Sequence, residues 1–123
     1  MRQAIGLLSL SALLSCGNGL GPASDLGGTW AAIFPYPGAS IVFSVGQNDG
    51  TLSGDGTFAI EAGRNGTLQL TGSYDRPHVA LVLHYDFGVN LTYTGTVSPD
   101  GRRMSGVIAD SLGRGSPLTF TRR

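Results

Sequence analysis

Lysine is absent from this 123-residue chain: its eight basic residues are all arginine, matched by seven Asp and one Glu. A net charge of zero with scattered arginines gives no electrostatic footprint for nucleic acid and no polybasic run for an anionic membrane. Long apolar runs are also missing. The longest, Ala4 to Leu14, has eleven residues where a membrane span needs about 20. Cysteine occurs once, at Cys16, so no internal disulfide can form. The length allows one domain of about 100 residues beyond a leader, burying roughly two-thirds of its surface. Glycine, by contrast, is abundant at 20 residues. Without a G-x-y period, and with a normal share of Leu, Val, Ile and aromatics, this composition excludes collagen, argues against disorder and suits a turn-rich all-β domain.

Residues 1–15 read as a secretory signal, with Arg2 ahead of the short apolar core. At the end of that core, Leu13-Leu14-Ser15-Cys16 resembles the bacterial lipobox. The resemblance implies cleavage before Cys16 and acylation of that residue with palmitate-type chains, so that the protein is held at a membrane by covalent lipid. Two or more such chains, at about 0.8 kcal/mol per buried CH2, anchor a protein stably. It also implies a bacterial cell-envelope location. Gly17, in place of an Asp after the lipidated cysteine, favours the outer membrane where the envelope has two. Residues 16–26, rich in Gly, Asn, Ser and Pro, read as a flexible tether with a reach of roughly 17 Å.

Residues 27–123 lack helical periodicity and divide into eight short segments of alternating apolar and polar residues, about 28–34, 40–47, 51–61, 67–75, 78–86, 89–98, 102–109 and 116–122. Asp49-Gly50, Asn65-Gly66 and Asp100-Gly101 read as hairpin turns with positive φ. Short connections make sequence neighbours spatial neighbours. An antiparallel up-and-down meander of eight strands leaves unpaired edges unless it closes, so the expected fold is a barrel. One parity gathers Ile41, Phe43, Val45, Leu52, Phe58, Ile60, Leu68, Leu70, Tyr74, Val79, Leu81, Leu83, Tyr85, Val89, Leu91, Tyr93, Val97, Met104, Ile108, Leu118 and Phe120, and marks the inward face. Gly54, Gly56, Gly72, Gly95 and Gly106 share that parity. They either let the strands coil or leave room for a ligand, and an eight-stranded barrel is compatible with both.

Gly28-Thr29-Trp30 on the first strand resembles the Gly-x-Trp opening of the lipocalins and avidins, the calycin-type barrels. The resemblance implies a structural pair in which Arg122, from the last strand, covers Trp30. On the avidin side it extends through Ser40 to Gly54 and Leu70 to Asp75, about half the domain. Ser40 matches a biotin-contacting serine, but the family's Asn, Tyr and second Ser fall on Ala32, Gly56 and Phe58, and Trp30 is the only tryptophan. The architecture therefore carries over and biotin binding does not.

Catalytic, metal and cofactor motifs are weak. His78 and His84 are about 20 Å apart along one strand, too far to share a metal. His84 and Asp86 are closer, yet both read as outward and lack a third partner. There is no G-x-S-x-G motif, and Gly54-Asp55-Gly56 lies within a meander rather than between a strand and a helix, so it is no phosphate loop. No enzyme and no cofactor are expected. The expected function is binding, through the barrel end opposite the tether. Tyr36, Arg64, Phe87 and Arg114 belong to that rim, and Phe43, Tyr85 and Tyr93 to the interior below it. A small apolar or amphipathic ligand inside the barrel is the first expectation; the alternative is a filled barrel whose distal loops bind a protein partner, such as a periplasmic hydrolase.

Overall fold

The computed structural model describes residues 25–35, 38–60 and 63–123. Cys16 and Tyr36 lie outside these residues. The eight strands are β1 (Gly28–Ile33), β2 (Ser40–Asn48), β3 (Thr51–Ile60), β4 (Arg64–Asp75), β5 (His78–Tyr85), β6 (Asn90–Val97), β7 (Arg103–Ala109) and β8 (Gly115–Arg122). Each pairs antiparallel with its sequence neighbours, and β8 returns to β1. The result is an eight-stranded up-and-down barrel, the architecture that the calycin resemblance implies.

Seven strands match their expected bounds within a residue, whereas β4 starts three residues early, at Arg64. Asn65-Gly66 is not a turn. Both residues pair in the ladder, opposite Ala59 and Phe58. The positive φ of this connection belongs to Gly63 (77°). Gly66 serves packing instead: a β-carbon there would stand 2.9 Å from the Phe58 ring and 2.5 Å from the Asp86 carboxylate. In the β2–β3 hairpin the left-handed residue is Asp49 (φ 56°) rather than Gly50, a conformation Asp tolerates better than most residues.

The interior follows the alternation. Of the inward set, all are buried except Val89, Ile60 and Leu91, which sit towards the distal end. Phe120 packs between Phe43 (ring centroids 5.0 Å) and Tyr93 (4.9 Å, edge-on). The Tyr93 hydroxyl donates to the Leu118 carbonyl at 2.9 Å, which satisfies the one polar atom this aromatic stack would otherwise bury alone. Burial pushes the Tyr93 phenol well above its ordinary range, so it stays neutral.

The inward glycines lie opposite large neighbours. Gly54 is flanked by Val45 and Leu70, Gly56 by Phe43 and Leu68, Gly72 by Leu52 and Leu81, and Gly95 faces Gly106 directly. A β-carbon on Gly54 or Gly106 would overlap the carbonyl oxygen of Ser44 or Thr94 on the adjoining strand. These glycines therefore mark close strand approach and coiling, and the volume they give up is occupied by backbone and adjacent side chains.

The proximal end is plugged. Leu26, expected in the tether, is fully buried, and its N–H donates to Gln47 Oε1 at 2.8 Å. The Trp30 indole N–H donates to the Leu26 carbonyl at 2.9 Å. Arg122 then covers the indole, its Cζ 4.8 Å from the ring centre, while its Nη2 donates to the Asp25 carbonyl at 2.8 Å. Arg122 Nε has no acceptor among the described residues, so the indole face offsets part of the cation's lost hydration. Asp25 and Leu26 are thus held against the barrel end by residues from β1, β2 and β8. Trp30→Ala should destabilise the protein by about 3–5 kcal/mol in urea unfolding, as expected for a large buried aromatic; an unchanged midpoint would contradict this plug.

Candidate functional site

With the interior filled, the places left to act are the ends and the outer wall. At the distal end β1–β2, β3–β4, β5–β6 and β7–β8 are joined, and there the inward alternation runs out of opposing side chains. Phe34, Phe58, Ile60, Tyr85, Phe87 and Leu91 surround a pocket of about 120 Å³. Its aromatic walls form a triangle: Phe58 to Tyr85 is 4.6 Å between ring centroids, and Phe87 lies 5.6 Å from each. Phe58 and Tyr85 are buried; Phe87 is 53% exposed and forms the lip.

Phe87 is positioned by the β5–β6 turn. The Tyr85 N–H donates to the Val89 carbonyl at 2.9 Å and the Gly88 N–H to the Tyr85 carbonyl at 3.0 Å, with Gly88 at positive φ (88°). Asp86 ties this turn to β4. Its carboxylate accepts the Thr67 N–H (2.9 Å), and its own N–H donates to the Thr67 carbonyl (3.0 Å). The pocket wall is therefore braced from behind by a polar contact that leaves its apolar face free.

The expected site residues separate into three groups. Tyr85 and Phe87 meet at the pocket with Phe58. Phe43 and Tyr93 lie in the sealed core stack below it. Arg64, the first residue of β4, and Arg114, on the β7–β8 loop, are both exposed at the distal end, and Arg114 is paired with Asp110 (Nε to Oδ2, 2.9 Å). Phe34 and Ile60 were not singled out from the sequence as site residues. Their signal is positional: each is an apolar residue at the distal end of an inward series, with no opposing strand beyond it.

Asp110 organises the β7–β8 loop. Its carboxylate accepts the N–H groups of Leu112 and Arg114, both at 3.0 Å, and the Arg114 side chain. The Arg114 main-chain bond, with its guanidinium and the Leu112 amide, holds the Asp110 carboxyl below the usual carboxylate range. The loop presents Leu112 to solvent at 75% exposure.

His84 and Asp86 do not converge. His84 is exposed on the outer wall, where its Nδ1 lies 3.1 Å from Asn90 Oδ1 and its Nε2 3.5 Å from the Thr71 hydroxyl. Asp86 is engaged with Thr67 instead. Among the described residues no three His, Cys, Asp or Glu side chains are grouped so as to hold a metal ion. Compared with models of protein families, with curated proteins and with solved structures, the chain finds no match.

The sign of the pH response of the distal loop follows from the lowered pKa of Asp110. A carboxyl whose pKa is lower folded than unfolded stabilises the fold above the unfolded value, and that contribution is lost as pH falls through the lowered one. Protection of the Leu112 and Arg114 amides, relative to unstructured amides at the same pH, should therefore hold through mildly acidic pH and fall only below the ordinary Asp value of 3.8. Asp110→Ala should give the same loss of protection already at neutral pH while leaving Tyr93 protected; unchanged exchange would contradict the role of Asp110.

Proposed function

We propose that this protein is a binding protein of a bacterial cell envelope, anchored by lipid on Cys16, whose filled barrel presents its distal rim to a protein partner. The observation that carries the reading is the size of the distal pocket. At about 120 Å³ it falls short of the roughly 300–1,000 Å³ of a drug-sized ligand site. It matches one large apolar side chain, in the way that a cavity of roughly 150 Å³ takes one benzene. Pockets that admit a single aromatic or aliphatic anchor, ringed by less critical contacts, are how protein interfaces concentrate their energy. Phe87 supplies exposed apolar area at its lip, and Leu112 adds more on the β7–β8 loop of the same barrel end.

The polarity of the barrel supports the same reading. The chain enters from Asp25 and Leu26 at the proximal end, so a lipid on Cys16 would leave the distal rim facing away from the membrane. Binding rather than catalysis is favoured because His84 and Asp86 are engaged separately on the outer wall. A second reading rests on the same aromatic triangle: an amphipathic small molecule could place only its apolar end in the pocket, with the remainder on the rim.

A photoreactive benzophenone amino acid at position 87, introduced in the native host, tests this directly. The expected result is a crosslink to a protein, absent when the same group replaces Asp55 on the outer wall of β3. A small-molecule adduct at position 87 would favour the second reading, and no adduct at 87, or equal adducts at 87 and 55, would overturn the site. In the same cells Cys16→Ala should abolish incorporation of labelled fatty acid; unchanged labelling would overturn the anchor.

A further inference from the structure

The barrel is zipped unevenly. β3 pairs with β4 along its whole length, whereas β1 meets β8 at only two positions, Trp30 opposite Arg122 and Ala31 opposite Thr121. Main-chain bonds show which groups face this seam. The Arg122 N–H donates to Arg102 on the β7 side, and the next N–H, of Arg123, donates to Thr29 on the β1 side. Main-chain groups alternate sides along an antiparallel strand, so Thr121, Thr119 and Pro117 all aim theirs at β1. On β1 the Phe34 N–H donates to Ala39 on the β2 side, and Ile33 therefore aims at β8. The next bonded pair in this register would be Ile33 with Thr119, and it is not formed. Beyond it Pro35 would face Pro117, and neither has an N–H to give. The ladder has already ended one pair earlier, which leaves the Ile33 and Thr119 main-chain groups without a ladder partner across the seam.

A groove of about 600 Å³ lies over this seam, with Ala31, Ile33, Val42, Thr119, Thr121 and Arg123 among its walls. Ile33 is 82% exposed, the most exposed large apolar residue among those described. The groove has two cations, Arg122 and Arg123, and no acidic residue. Arg122 is committed to Trp30 and Asp25, which leaves Arg123 facing outward.

We propose that the open part of the β1–β8 seam is a strand-addition site for an extended acidic peptide segment of a partner protein. The segment bonds to the main chain of Thr119 and Pro117, rests an apolar side chain on Ile33 and Val42, and places a carboxylate beside Arg123. Thr119 offers both a donor and an acceptor, while Pro117 offers only its carbonyl. From Thr119 to Arg123 is about 13 Å along an extended strand, so a peptide of about five residues spans both features. Main-chain bonds supply affinity in this mode and alternate side chains supply specificity. A second copy of this chain is a poorer occupant, because its own β8 edge has the same missing donor at Pro117 and the same cation at Arg123. The site lies on the outer wall, separate from the distal pocket, and does not depend on the function proposed there.

Panning random peptides displayed on phage against the full-length protein, followed by amide exchange with an enriched peptide, tests the proposal. Enriched sequences should alternate apolar with polar residues and end in Asp or Glu. At saturation the Thr119 amide should exchange at least about tenfold more slowly than in the free protein. Thr119→Pro, which removes a donor that β7 does not use, should abolish binding with the melting temperature little changed. Arg123→Glu, which leaves the ladder intact, should shift selection from acidic to basic ends. Several results would overturn the proposal: no enrichment, peptides that bind Arg123→Glu equally well, or protection at Phe87 in place of the seam. Slow exchange of Ile33 and Thr119 in the free monomer would do the same, and so would a dimer in which those amides are protected without peptide.

Discussion

A sheet of eight strands closes on itself only if its strands coil, and in this protein coiling depends on glycine at inward positions. Gly54, Gly56, Gly72, Gly95 and Gly106 sit where a β-carbon would meet the backbone of the next strand. Their absence of side chain lets adjacent strands approach, and the large residue across the ladder takes the space released. The barrel is narrow for this reason, with Phe43, Tyr93 and Phe120 stacked through its middle. The proximal end is closed by a different device, in which Leu26, Trp30 and Arg122 cover one another in turn. Among the described residues, a small distal pocket and grooves on the outer wall are concave.

A filled interior moves any binding chemistry to places where the regular pattern fails. At the distal end the strands finish and aromatic side chains lack partners across the barrel. At the β1–β8 seam the register would bring two prolines together and the ladder ends early. Both places present apolar surface next to fixed geometry: the pocket is braced through Asp86 and Thr67, and the seam lies between two strands whose other edges are fully paired. Order in the wall and adaptability at its defects arise from the same backbone constraints.

Much of this was legible in the sequence because a strand's period of two is robust over short segments. The strand number, the inward set and the Trp30–Arg122 pair follow from alternation and from the calycin-type resemblance. Turns were less legible. Asn65-Gly66 has the composition of a hairpin turn, yet both residues pair in the β3–β4 ladder, where Phe58 and Asp86 leave no room for a side chain at position 66. Leu26 reads as tether since its neighbours are Gly, Pro, Ser and Asp; its burial depends on Gln47 and Trp30, which are distant in sequence. Likewise, no local pattern announces that β1 and β8 part after Ala31, because that pairing joins the two ends of the sequence. Among candidate site residues, Phe87 was legible as a rim aromatic, whereas Tyr85 reads as interior beside Phe43 and Tyr93, because alternation alone does not separate inward residues by depth.

The sign of one stability change separates close strand approach from empty space as the reason for the inward glycines. If Gly106 lined a void, alanine there would fill space and restrict the unfolded chain, raising stability by about 0.4–1 kcal/mol. If Gly106 is where β7 meets the Thr94 carbonyl of β6, the added methyl forces the strands apart and costs about 1–3 kcal/mol. Urea unfolding of Gly106→Ala measures this directly: the account predicts a lower midpoint with an unchanged slope, and an equal or higher midpoint would contradict it.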